Sequence, residues 1–130
     1  MKSIANDSSE SEMYKPHEKY WYAVYVRSRH EKKVYHLFEE KGLESSLPLI
    51  KTTRQWSDRK KKVEVPLFRG YIFVRIDIDK DKLNILQTDG VVKFIGIQSK
   101  PSRIPDEQIH WIHMMVEHAD TVRNETEIPV

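Results

Sequence analysis

The sequence contains no cysteine among its 130 residues. Disulfides and thiolate-held metals are thereby excluded, and the composition suits a reducing compartment. Glycine is nearly as scarce, with four in all, and no glycine-rich loop is present to cradle a phosphate. No apolar run approaches membrane-spanning length, and no apolar signal core follows the first residues, so the expectation is a cytoplasmic protein without a membrane partner. An excess of one charge is lacking too: 22 Lys and Arg stand against 20 Asp and Glu, a net charge of +2. A nucleic-acid partner would therefore have to be met by local clusters. With no nucleophile motif and no carboxylate pair in an identifiable cleft, neither catalysis, a cofactor nor a metal is expected.

Residues 1–18 are polar and acidic, with Ser3, Asn6, Asp7, Ser8, Ser9, Glu10, Ser11 and Glu12 separating few apolar side chains. Such a stretch cannot bury enough surface to offset its ordering entropy and is expected to be a disordered arm. A folded domain is expected over 19–118 and the start of a linker over 119–130. Tyr20 to Val26 is aromatic and β-branched without a breaker, which predicts a central strand. Its alternation puts Trp21, Ala23 and Tyr25 on one face and Tyr22, Val24 and Val26 on the other. Ser28 and Glu31 have the S-x-x-E spacing of a capping box, which predicts a helix over about 29–41. Val34, Leu37 and Phe38 follow at helical spacing, and Gly42 supplies a left-handed stop.

A second strand is expected around 45–53, at a sheet edge because Pro48 cannot donate to a ladder. The run from Arg54 to Lys62 then holds five basic side chains against one acid, with Ser57-Asp58 as turn chemistry, and reads as a basic hairpin tip. Pro66 lacks an amide donor and Gly70 tolerates angles other residues avoid, so the chain should bend between them. The strand that follows, over 71–78, is apolar on both faces. Asp79 is placed to cap a short helix bearing Leu83, Ile85 and Leu86, ended by Asp89-Gly90. A strand over 91–97 follows, and Pro105-Asp106-Glu107 opens a last helix with Ile109, Ile112 and Val116 in one stripe.

The fold class is therefore α+β: a ferredoxin-like βαββαβ antiparallel sheet with its crossover helices on one face, plus a C-terminal helix. Strands that are apolar on both faces require the second face to be covered by the last helix, by a partner, or by both. That requirement points to a binding module.

Trp21-Tyr22-Ala23-Val24-Tyr25-Val26, the helix containing Glu31-Lys32-Lys33-Val34, Leu47-Pro48, Trp56-Ser57-Asp58-Arg59, Pro66-Leu67-Phe68-x-Gly70-Tyr71-Ile72-Phe73-Val74, Gly90-Val91 and Ile104-Pro105 occur in this order. Together they resemble the N-terminal domain of NusG-type transcription elongation factors, including the specialised relatives RfaH and UpxY. The resemblance spans about residues 20 to 118. It implies a non-catalytic elongation or antitermination factor that docks an apolar cavity onto the coiled-coil clamp helices of the largest subunit of bacterial RNA polymerase and favours processive elongation. It further implies that Tyr25, Phe68, Tyr71, Phe73 and Ile97 form that cavity, and that Lys82, Leu83 and Asn84 face the opposite side of the polymerase cleft. In specialised relatives, residues near the first helix contact non-template DNA; the matching positions are Arg27, Arg29, His30 and Lys33. Arg69 stands where the family commonly has proline. The family continues into a small β-barrel domain called KOW, whereas this sequence stops at Glu127-Ile128-Pro129-Val130, so ribosome or Rho contacts are not expected of these residues.

Each of these readings has a plainer competitor. Large aromatics are common core residues. Arg59, Lys60, Lys61 and Lys62 could simply keep a hairpin soluble, although clustered cations also release counterions from nucleic acid. His110, His113 and Glu117 share part of a helical face but lack a further ligand, so no metal site is expected. His30 and His36 read as helix-surface residues rather than proton shuttles. Two other function classes fit the same strand order: a free-standing RNA-binding module using the aromatic sheet face as a stacking platform, and a homodimer that buries that face.

Overall fold

The computed structural model describes the backbone of residues 18–56 and 59–126, and side chains over 18–54 and 59–118. The arm expected over 1–18 lies, apart from Glu18, outside the described residues, as does the Ser57-Asp58 turn. The elements are β1 (Tyr20–Val26), α1 (Glu31–Glu40), β2 (Glu44–Ser46), β3 (Leu49–Trp56), β4 (Arg59–Pro66), β5 (Tyr71–Ile76), α2 (Ile78–Leu86), β6 (Val91–Phe94), β7 (Gly96–Ile97), β8 (Lys100–Pro101) and α3 (Asp106–Thr126).

Four strands form one antiparallel sheet in the order β2-β5-β1-β6. This is the ferredoxin-like order, with β1 central and β2 at an edge. The pleat sends alternate residues to opposite faces. Tyr22, Val24 and Val26 of β1 and Ile72, Val74 and Ile76 of β5 meet Val34 and Phe38 of α1 and Ile85 of α2 in the main core. On the other face, Trp21 and Phe73 pack against Ile109 of α3. The amphipathic stripe on the last helix thus covers part of the second face.

Several boundaries differ from those the sequence implies. The Ser28/Glu31 capping box does not form: Arg29 has φ +67°, the N-cap of α1 is His30, and no side chain caps it. A left-handed Arg29 takes the chain out of line between serine and helix, so Ser28 cannot serve as N-cap. A reciprocal arrangement is found instead at α2. Its cap is Asp77 rather than Asp79: Asp77 accepts from the Asp79 amide at 3.1 Å, while the Asp77 amide donates to Asp81 at 3.3 Å. The expected strand over 45–53 is interrupted at Leu47-Pro48, where the Pro48 carbonyl accepts from the Leu67 amide at 2.9 Å. The break lets β2 stay in the main sheet while β3 and β4 leave it as a separate two-stranded hairpin. The strand expected over 91–97 likewise splits after Phe94, and Gly96 lies so close to the Lys100 carbonyl that a Cβ there would collide with it. Helix α3 runs on through Thr126, past residue 118.

Lys41, at the end of α1, donates through Nζ to the Asn84 side-chain oxygen at 2.9 Å and to Thr88 Oγ1 at 2.8 Å. It thereby locks the end of α2 to α1. Among the described residues, no helix is long and apolar enough to cross a membrane.

Candidate functional site

The bend between β4 and β5 is held at several points. The Tyr71 amide donates to the Phe68 carbonyl at 3.2 Å, and the Val26 amide donates to the Gly70 carbonyl at 2.8 Å. The Gly70 amide donates to Glu31 Oε2 at 2.7 Å. Gly70 has φ +84°, and a Cβ on it would lie 3.0 Å from Tyr25 Cε1. Only glycine combines that backbone angle with that approach. The Tyr25 ring consequently rests on the bend.

Register then assembles the aromatic side chains. Tyr25 is opposite Tyr71 and Ala23 is opposite Phe73 across the β1/β5 ladder. The Tyr25 and Tyr71 rings lie 5.5 Å apart, tilted by 51°. Phe68 presents an edge to Phe73 at 5.9 Å. Phe73 is buried with Trp21 beneath α3, whereas Tyr25, Phe68 and Tyr71 are each 37% exposed. Three large aromatic side chains, two on the sheet and Phe68 in the bend beside it, are thus left partly uncovered, with the buried Phe73 behind Phe68. Ile97, 73% exposed, is on β7 in the small β7/β8 hairpin that follows β6.

Beside the aromatic patch, a groove of about 720 Å³ lies between the start of α1, the base of the β3/β4 hairpin and the bend. Tyr25 and Gly70 form part of its wall, and Arg29, Lys32, Arg54 and Arg69 line it together with Glu31 and Glu64. Lys32 Nζ donates to the Glu64 carbonyl at 2.8 Å, tying α1 to β4.

The remaining basic candidates fall into two groups. Arg27, Arg29, His30 and Lys33 surround the start of α1; His30 Nδ1 donates to the Ser28 carbonyl at 2.9 Å, and Lys33 pairs with Asp89 at 2.9 Å. The Lys33 hydrogen bond and charge hold the Asp89 carboxyl below the usual carboxylate range. Arg59, Lys60, Lys61 and Lys62 all lie on β4, exposed, with Lys61 in register with Arg54. An extended strand splits such a run between its faces: Arg59 and Lys61 share one face, Lys60 and Lys62 the other. The four cations are therefore two pairs. Lys82, Leu83 and Asn84 lie on α2, which packs on the sheet face opposite the aromatic patch. Leu83 is 65% exposed, and the Asn84 side-chain oxygen is engaged by Lys41.

Two features carried no signal in the amino-acid sequence. Glu31 reads locally as a cap, while its partner Gly70 is 39 residues away. The exposed Trp111, Met114 and Met115 on the outer side of α3 follow the spacing of an ordinary helical stripe and carry no local signal of exposure. His113 Nε2 is bonded to Ser46 Oγ at 2.7 Å. Among the described residues, no group of three or more His, Cys, Asp or Glu side chains could hold a metal ion.

A family model described as "Transcription termination factor nusG" matches residues 19–113. The Transcription termination/antitermination protein NusG of Borreliella burgdorferi is 28% identical over 111 residues, covering 73% of this chain and 60% of the relative. A solved structure described as "Domain interaction in Thermotoga maritima NusG" superposes with a TM-score of 0.52 at 25% identity, covering 73% of this chain and 55% of that one. The chain thus spans less than two thirds of the length of either relative. Since the family model extends from the first strand into the last helix, the chain belongs to the NusG family.

Proposed function

We propose that this chain is a transcription elongation or antitermination factor domain that docks through Tyr25, Phe68 and Tyr71 onto the clamp helices of the largest subunit of bacterial RNA polymerase. One observation carries the reading: on the sheet face that α3 covers only in part, three aromatic side chains stay half exposed around a glycine bend fixed by hydrogen bonds from two other elements. Aromatic anchors on a rigid surface lose little side-chain entropy on binding and fit the apolar pockets at the centre of an interface. Phe73, buried against Phe68, supports the patch; Ile97 extends the same docking surface, and the segment Lys82 to Asn84 faces the opposite side of the polymerase cleft.

A factor that binds the closed-clamp, elongating state better than the open, paused one shifts the population toward elongation by that difference in affinity alone, with no catalytic step. Arg27, Arg29 and His30 at the start of α1 supply cations and donors for non-template DNA. Lys33 contributes less, because Asp89 already neutralises it. Arg59 to Lys62 offer phosphate contacts whose strength falls with salt. Such partners operate in the cytoplasm. An RNA stacking platform is less well supported: Phe73 is buried, and the Tyr25 and Tyr71 rings are tilted by 51° rather than presenting parallel open faces.

Hydroxyl-radical footprinting of the chain with an RNA polymerase elongation complex tests the surface directly. The expected result is protection of Tyr25, Phe68 and Tyr71 with Trp111, 64% exposed on α3, unchanged. Protection of Trp111 with the three aromatic side chains still reactive would overturn it.

A further inference from the structure

We infer that Glu31 is a positioning residue for docking: its carboxylate, reaching from the first turn of α1, holds the Gly70 bend in the one conformation that presents Tyr25, Phe68 and Tyr71 together. This rests on the docking surface proposed above. Glu31 is only 6% exposed, and burying a carboxylate carries a desolvation cost that only the bonds it makes can offset. Its side chain does not cap its own helix. Instead Oε2 accepts from the Gly70 amide at 2.7 Å, the short distance of a charge-assisted bond. The next polar group along the chain, the Gly70 carbonyl, accepts from Val26 at 2.8 Å. The glycine is thus clamped from α1 on its amide side and from β1 on its carbonyl side. Glycine is the residue with the widest conformational range, and here it supports the Tyr25 ring and lies between Phe68 and Tyr71. Loss of the Glu31 bond would free the peptide between Arg69 and Gly70 to rotate, and would spread the three aromatic side chains over several arrangements. Lys32 fastens the same turn of α1 to the base of β4 through the Glu64 carbonyl, so the start of α1 has a defined position from which to hold the bend.

Three variants separate reach from charge. Glu31→Gln keeps an acceptor of the same length without the charge; Glu31→Asp keeps the charge but falls one methylene short; Glu31→Ala removes both. The readouts are hydrogen exchange at the Gly70 amide and affinity for a polymerase elongation complex, with Phe68→Ala measured beside them. Glu31→Ala and Glu31→Asp are expected to speed Gly70 exchange and weaken binding by about tenfold or more, the scale of a charge-assisted hydrogen bond, while Val24 and Ile72 keep their protection. Glu31→Gln, which keeps the reach with a neutral and weaker acceptor, is expected to restore part of both. If Glu31→Ala does not fold, Glu31→Asp carries the comparison. The inference is overturned if Gly70 stays protected in Glu31→Asp, or if affinity in all variants follows global stability alone. Unchanged binding in Phe68→Ala would instead overturn the docking reading, and Gly70 exchange would still decide whether Glu31 holds the bend.

Discussion

Phe68→Ala is expected to weaken binding to a bacterial RNA polymerase elongation complex by about 1 to 4 kcal/mol, the range of a buried aromatic anchor. Folding stability should fall by less than a fully buried ring would cost, about 1 to 2 kcal/mol, from the edge-to-face contact with Phe73 and the part of the Phe68 ring that the fold covers. The separation of the two effects is the informative part. Phe68 is exposed enough to be covered by a partner, yet it is held by a bend with fixed hydrogen bonds and by a buried ring beneath it. Titration of labelled chain into the elongation complex, with denaturant unfolding of the same variant, reads both. Equal affinity with an intact fold would remove Phe68 from the site.

The opposite pattern is expected for Phe38→Ala. Phe38 is completely buried on α1 among Tyr22, Val24, Ile72 and Val74, on the sheet face away from the aromatic patch. Truncation removes the transfer free energy of the ring and leaves a cavity, at a cost of about 3 to 5 kcal/mol in folding stability. Denaturant midpoints should drop sharply with little change in slope, and affinity for polymerase should be unchanged under conditions where the variant is still folded. A variant as stable as the natural sequence would mean that the core has collapsed around the gap. A specific loss of binding would mean that both sheet faces contribute to docking.

Much of the fold was legible because period-2 and period-3.6 patterns are written by burial itself. Trp21, Ala23 and Tyr25 do share a face, β1 is central, β2 is at an edge, and Ile109 is the buried contact of α3. Local signals failed where tertiary contacts outbid them. The Ser28/Glu31 spacing fits a capping box, but the left-handed Arg29 takes serine out of reach and Gly70 claims the glutamate. Asp79 is a fair cap by composition, yet Asp77 stands at the strand end where the helix turns. Pro48 correctly marked an edge, but not that the edge ends there and that β3 and β4 depart as a hairpin of their own. At the candidate site, residue types and faces were readable, whereas depth was not. Phe73 and Tyr71 differ by two positions on one strand and by nearly full burial against half exposure, because α3 covers one and not the other. A run of four cations likewise reads as one cluster until the strand divides it between two faces.

Docking of the half-exposed aromatic side chains around Gly70 on the clamp helices is the proposal from which the other expectations follow. Its most direct test compares binding of this chain to two elongation complexes that differ only in the tip of those helices, intact in one and deleted in the other. Docking through Tyr25, Phe68 and Tyr71 predicts saturable binding to the intact complex, abolished by the deletion and weakened in parallel by Phe68→Ala. Undiminished binding to the deleted complex would contradict it and would move the contact to nucleic acid or to another surface of the polymerase.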